Sequence, residues 1–429
     1  MMRTLTVLFL CLFLAPASTR GADPEYGYPL RSAFGSSIIG TPEKLKPKLP
    51  EYVPTRTLEL EIFPDRKKPP VFFYDHGLVS TLAYQKKKAP LVFLIASYGA
   101  SNLSSAQQTL MKTLYQAGFH VITLPSSTHP NFIISASSSS VPGDLTADAV
   151  DMYRAMEAAW NAVKHKIEVS DFYLVGTSLG ATQAAFVARY DEERQFFKFR
   201  KVMLINPSVN LYNSVNMIEA LLAKIPGGSN REGEFFNRML TRFISFYRAG
   251  NFVSFNDQFL FAVYQEQLFS NDEAGALIGL SYRVNLAGQI FASDVMTNSG
   301  YIVPKNLVLH YTDPLSDYFQ VATHLSFFQF FNEYLFPYFR SQNPGLTQDA
   351  FIRSQGLKAI DPYLRDNPKF GVITNENDFI LAPGELDYLK GLFGPNIKVY
   401  PWGGHLGNLE YRDNLAYLVE FLKREGGKP

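Results

Sequence analysis

The chain has 429 residues, 40 basic and 39 acidic side chains and one cysteine, with 46% hydrophobic and 18% charged residues. That length and apolar content exclude a disulfide-stapled miniprotein and argue against a disordered chain. The balanced charge, with no basic stripe, argues against a nucleic-acid partner, which would need clustered Lys and Arg.

At the N-terminus, Met1 to Arg3 carries a positive charge, Leu5 to Leu14 is apolar apart from Thr6, and Ala15-Pro16-Ala17 has a small-x-small pattern. This is the layout of a secretory signal peptide over 1–17, with a later cleavage site near Ala22 also open. The apolar run is about ten residues, half of the roughly 20 a spanning helix needs. Cleavage would remove Cys11 and leave a cysteine-free chain, suited to an oxidising compartment. The protein is therefore expected to be exported, to a periplasm or outside the cell. Residues 18–54, rich in Pro, Gly, Ser and Lys, are expected to form an arm lying over the surface.

Strands are expected at Thr57 to Ile62, which alternates in polarity, and at Val71 to Tyr74. Lys86 to Lys88 reads as a solvated turn. Leu91 to Ala96 is continuously apolar, as a parallel strand covered on both faces would be. A helix with Leu110, Leu114 and Ala117 on one face is stopped by Gly118, and Phe119 to Leu124 is the next strand. After a Ser-rich loop through Ser135 to Ser140, Asp144 begins a helix whose first turns carry Asp148 and Asp151. Strands at Phe172 to Val175, Val202 to Ile205, Phe370 to Thr374 and Ile397 to Tyr400, with helices from Leu179 to Ala188 and Leu409 to Lys423, complete the pattern. Alternating strands and helices imply an α/β fold with a mainly parallel sheet flanked by helices.

Residues 209–365 break this rhythm. They are helical in pattern and rich in aromatics, and are expected to be inserted between two strands. Phe327 to Phe339 holds eight aromatics in 13 positions, all round the helix, which predicts burial or a lipid-facing surface. Phe252, Phe255 and Phe259 recur at helix spacing, with Phe261 and Tyr264 close behind. These aromatics form either the core of the insertion or the wall of an acyl-chain pocket.

Gly176-Thr177-Ser178-Leu179-Gly180 is a G-x-S-x-G pentapeptide between a predicted strand and a helix of small residues. A serine on such a turn is held on strained backbone, and the flanking glycines remove side chains that would clash. With this context the chain resembles the α/β-hydrolase superfamily over about 55–210 and 366–425, with 209–365 where that family places its helical cap. The resemblance implies a Ser, acid, His order. His405, in the glycine loop after strand 397–400, is the expected base. His76, His120, His129 and His165 precede the serine, against that order, and His310 and His324 fall in the insertion. Asp378, just after strand 370–374, is the expected acid, with Glu376 a close rival and Asp313 a weaker one. The oxyanion hole is expected to use the N–H of Leu179 and a second one from the loop after strand 91–96. Tyr98 is the first choice there and Gly99 the next, although this loop lacks the family's common His-Gly pair.

Ser178, His405 and Asp378 predict acyl transfer without metal or cofactor. The sequence has no His-x-x-x-His pair, cysteine cluster or phosphate-binding loop. The aromatic insertion favours a lipid or other carboxylic ester, with phospholipid as a special case and peripheral contact with a membrane. A peptidase with the same triad, and a non-catalytic protein holding lipid or a partner, stay open.

Overall fold

The computed structural model describes residues 26–228, 231–249 and 269–424. The expected leader, Cys11, Ala22 and the row Phe252, Phe255, Phe259, Phe261 and Tyr264 lie outside them.

Eight strands form one sheet: β1 Thr55–Leu60, β2 Leu78–Ala83, β3 Ala89–Ile95, β4 His120–Leu124, β5 Val169–Thr177, β6 Val202–Ile205, β7 Phe370–Asn375 and β8 Ile397–Tyr400. Their order is β1-β2-β4-β3-β5-β6-β7-β8. β2 is antiparallel to both β1 and β4, and the six strands from β4 to β8 are parallel. This is an α/β-hydrolase fold. The chain passes from β3 to β4 on one side and returns to β5 on the other, which opens a crevice beyond the carboxyl ends of β3 and β5. Ligands of open α/β sheets bind at such switch points.

Helices cover both faces. α1 is Ala33–Ile39, α2 Ser105–Gln116, α3 Pro130–Ser135, α4 Leu145–Val163 and α5 Leu179–Arg194. β3 shows why its sequence is apolar throughout. Leu91, Phe93 and Ile95 pack with residues of α4 and α5, while Val92 and Leu94 pack on the other face with residues of α2 and the helix Arg412–Lys423. α4 begins where the acidic run predicts, because Asp144 Oδ1 accepts from the N–H groups of Thr146 (2.9 Å) and Ala147 (3.4 Å). Such a cap is worth about 1 kcal/mol.

Two expectations are corrected. Val71 to Tyr74 is not a strand: Pro70–Phe72 forms a 3₁₀ turn, since Pro69 and Pro70 lack the N–H a ladder needs. β2 at Leu78–Ala83 takes the strand position instead. The arm does more than lie over the surface. Tyr28 and Leu30 are fully buried, and α1 packs against the loop that carries His405.

Between β6 and β7, which are neighbours in the sheet, the described residues form helices: α6 Leu211–Glu219, α7 Glu232–Ala249, the long α8 Asn271–Thr297, and shorter ones to Leu364. The aromatic stretch is Phe327–Phe330 and Phe336–Gln342 joined by a π turn, Phe331–Leu335. Pro337 accounts for the turn: its ring removes a donor and crowds the Glu333 carbonyl, four residues back. Phe330, Phe331, Tyr334 and Phe336 are buried in the segment's own core with Tyr212 and Tyr282, while Phe328, Tyr338 and Phe339 are partly exposed.

Candidate active site

Ser178 stands between β5 and α5 with φ 54° and ψ −121°, a conformation unfavourable to a residue with a Cβ. Three contacts hold it there. Its N–H donates to the Ile205 carbonyl of β6 (2.8 Å). Thr177 Oγ1 and Ser97 Oγ are 2.8 Å apart, which ties the turn to the loop after β3. The two glycines let backbone approach backbone. A Cβ on Gly176 would stand 2.1 Å from the Gly180 carbonyl oxygen, and one on Gly180 2.4 Å from the Ala96 oxygen.

Ser178 Oγ lies 2.8 Å from His405 Nε2, and His405 Nδ1 lies 3.1 Å from both Asp378 oxygens. An Nδ1–H facing the carboxylate leaves Nε2 with its lone pair toward the serine hydroxyl, which can therefore donate to it. The Asp378 side chain is fully buried and that of His405 is 14% exposed. The rivals stand apart. Glu376 is exposed at the end of β7, and Asp313 Oδ2 accepts from the His310 N–H (2.8 Å).

Sequence reasoning missed the supports of this row. Asn206, directly after β6, takes φ 49° and donates from Nδ2 to Asp378 Oδ2 (2.7 Å). The Ile380 N–H donates to Oδ1 (3.2 Å). The available signal was an Asn closing an apolar strand, since Asn tolerates left-handed backbone. The His405 loop is held by α1 and its neighbours. The His405 N–H donates to Ser37 Oγ (2.8 Å), and Asn377 Oδ1 accepts from the N–H groups of Gly403 (3.1 Å) and Gly404 (2.9 Å). Tyr28 accepts at its carbonyl from Trp402 Nε1 (2.6 Å).

Ser178 and Leu179 open on a cavity of about 90 Å³ that Tyr98 also lines. Leu179 is the first residue of α5, so its N–H has no acceptor within the helix. Tyr98 follows β3, stacks on Tyr282 of α8 (centroids 5.0 Å apart) and donates its hydroxyl to Gln289 Oε1 (2.8 Å). The structure thus places Leu179 and Tyr98 beside Ser178.

Asp148 of α4 also lines this cavity. Burial, and then the neighbouring Asp144 and Asp151, hold its carboxyl well above the usual carboxylate range. Folding therefore favours its protonated form. That contribution is complete below the unfolded carboxylate pKa and is lost as pH rises towards the folded one. Asp148→Asn, neutral at every pH, is expected to melt above wild type at pH 7. The gap should close as the pH approaches about 4, near the unfolded carboxylate pKa. Thermal melts of both proteins across that range check the sign.

No group of three or more His, Cys, Asp or Glu suited to a metal ion occurs among the described residues. None of their helices is long and apolar enough to cross a membrane.

No family model and no curated protein sequence matches the chain. Solved structures similar to it include a Pyrococcus furiosus esterase, at 11% identity over 87% of this chain and 94% of that one, TM-score 0.40. A thioesterase domain from the curacin biosynthetic pathway matches at 14% identity over 87% of this chain and 100% of that one, TM-score 0.37. Est1E from Butyrivibrio proteoclasticus matches at 16% identity, over 35% of this chain and about half, 52%, of that one, TM-score 0.24.

Proposed function

We propose that the protein is a serine hydrolase that cleaves carboxylic esters with a short acyl group. The observation that carries this reading is the unbroken row Ser178 Oγ, His405, Asp378, with a cavity at its serine end. Ser178 Oγ attacks the ester carbonyl and His405 Nε2 takes its proton. Asp378 holds the ring's tautomer and stabilises the imidazolium. The oxyanion is met by the N–H groups of Leu179 and Tyr98. His405 then returns the proton to the departing alcohol, and water repeats the sequence on the acyl-enzyme.

The cavity's size supports the short acyl group. A 150 Å³ apolar cavity holds a benzene ring, so one of about 90 Å³ holds roughly four heavy atoms. A long lipid chain needs far more room. The described helices between β6 and β7 act as the cap over the site, and export follows from the leader expected at 1–17.

The test is fluorophosphonate labelling of the full mature chain, followed by p-nitrophenyl esters of increasing chain length. Labelling is expected in wild type and lost in Ser178→Ala. Turnover should peak at propionate or butyrate and fall at least tenfold by octanoate. A folded protein that is never labelled would point instead to a binding role, and a peak at long chains would restore the lipid reading.

A further inference from the structure

Most of the cavity wall beside Ser178 is apolar, formed by Leu211, Val215, Ile218, Leu335 and Ile380. Among the polar side chains that interrupt it, Asp148 and Tyr212 each carry an atom without a hydrogen-bond partner. Asp148 is 5% exposed. Its Oδ2 accepts from the Gly143 N–H (3.0 Å) and, at 3.5 Å, from the Ser127 hydroxyl. Its Oδ1 has no hydrogen bond and no basic side chain pairs with it among the described residues. Tyr212 of α6 is 6% exposed, and its hydroxyl is buried without a partner. A buried polar group left unpaired is costly. Unpaired polar atoms in the lining of one greasy cavity mark a place that a ligand completes.

The neighbours decide which ligand. Asp144 caps α4, and Asp151 is bound to Arg154 (2.6 Å). Both carboxylates disfavour a charge on Asp148, as does burial. With Oδ2 engaged as an acceptor, a protonated Asp148 carries its proton on Oδ1, which can donate.

We propose that Asp148 and Tyr212 select an acyl group that carries an oxygen acceptor, an ether, hydroxyl or ketone, within its short chain. This rests on Ser178 being the nucleophile. Asp148 and Tyr212 act in binding the substrate and take no part in bond making. A site built to donate to a substrate oxygen rejects the hydrocarbon analogue, because the donor is then left unpaired.

The test compares p-nitrophenyl butyrate and pentanoate with their oxygen isosteres, methoxyacetate and 3-methoxypropionate, and with the cationic 4-aminobutyrate. Each kcat/KM is divided by that ester's rate of alkaline hydrolysis, which removes intrinsic reactivity. Wild type is expected to favour at least one oxygen isostere by about tenfold. Asp148→Leu should abolish the preference and Tyr212→Phe should reduce it. Asp148→Asn should keep it, because the amide still donates. If Asp148→Leu does not fold, Asp148→Asn and Tyr212→Phe decide. A wild type that is labelled at Ser178 yet shows no preference overturns the proposal, as does a preference unmoved in Asp148→Leu and Tyr212→Phe. A preference for 4-aminobutyrate lost in Asp148→Asn also overturns it, by showing an anionic site. Failure of the folded wild type to label at all falls on Ser178 itself.

Discussion

Ser178→Ala is expected to lower kcat on a short p-nitrophenyl ester by about a millionfold, and His405→Ala by about as much. The triple replacement of Ser178, His405 and Asp378 should cost no more, because the three side chains act as one unit. Asp378→Asn should cost about 10⁴. The physical reason lies in the tautomer. Asp378 accepts from His405 Nδ1, Asn206 and the Ile380 N–H and offers no proton. An amide there can present its own N–H to Nδ1, which moves the ring proton to Nε2, where it faces Ser178 Oγ and cannot accept. Asn206 makes this site stricter, since its Nδ2–H already claims one oxygen of the carboxylate. Steady-state kinetics and circular dichroism on the four variants separate lost chemistry from lost fold. Retention of more than about 1% of activity by folded Ser178→Ala would place the reaction elsewhere.

The sheet was legible where the sequence carries long-range apolar order. β3, β5, β6 and β7 stand within a few residues of their predicted positions because both of their faces are covered, so the apolar run is the strand. β2 was not legible. Leu78 to Ala83 contains Ser80 and Thr81, both buried, and Ser80 Oγ hides its polarity by donating to the Thr123 carbonyl (2.8 Å). Such pairing is tertiary and leaves no period in the sequence. At the site, Ser178 was legible because backbone geometry dictates its two glycines, and His405 and Asp378 because each follows a clear strand. Asn206, Ser37, Asp148 and Tyr212 were hidden for one shared reason. Each matters through what it meets across the fold, and an isolated Asn, Ser, Asp or Tyr announces no partner. The aromatic run 327–339 was legible as buried. Which of its neighbours line the cavity depends on how α6 and α8 pack on each other.

Gly404→Ala tests the arm. A Cβ at 404 would stand 2.0 Å from the Ala33 carbonyl oxygen and 2.4 Å from Ser37 Oγ, on backbone already at φ 58°. Left-handed backbone costs an alanine about 1–2 kcal/mol and overpacking about 1–3 more, so a loss of about 2–5 kcal/mol is expected. The chain can relieve the clash by lifting α1 or by turning the loop. Either movement strains the bond from the His405 N–H to Ser37 Oγ and shifts the imidazole from Ser178. A displacement of about 1 Å is worth about 100-fold in rate. Gly391→Ala is the matched control. It lies within the helix Glu385–Phe393, and nothing stands within 4 Å of a Cβ there. It should gain about 0.5–1 kcal/mol from helix propensity and keep full activity. Denaturant midpoints and the rate of fluorophosphonate labelling, measured on both variants, read stability and site geometry separately. Loss of both in Gly404→Ala alone makes the arm a working part of the site. Wild-type labelling in a destabilised Gly404→Ala would confine the arm to holding the fold together. A Gly404→Ala as stable as wild type would mean that α1 does not bear on the His405 loop.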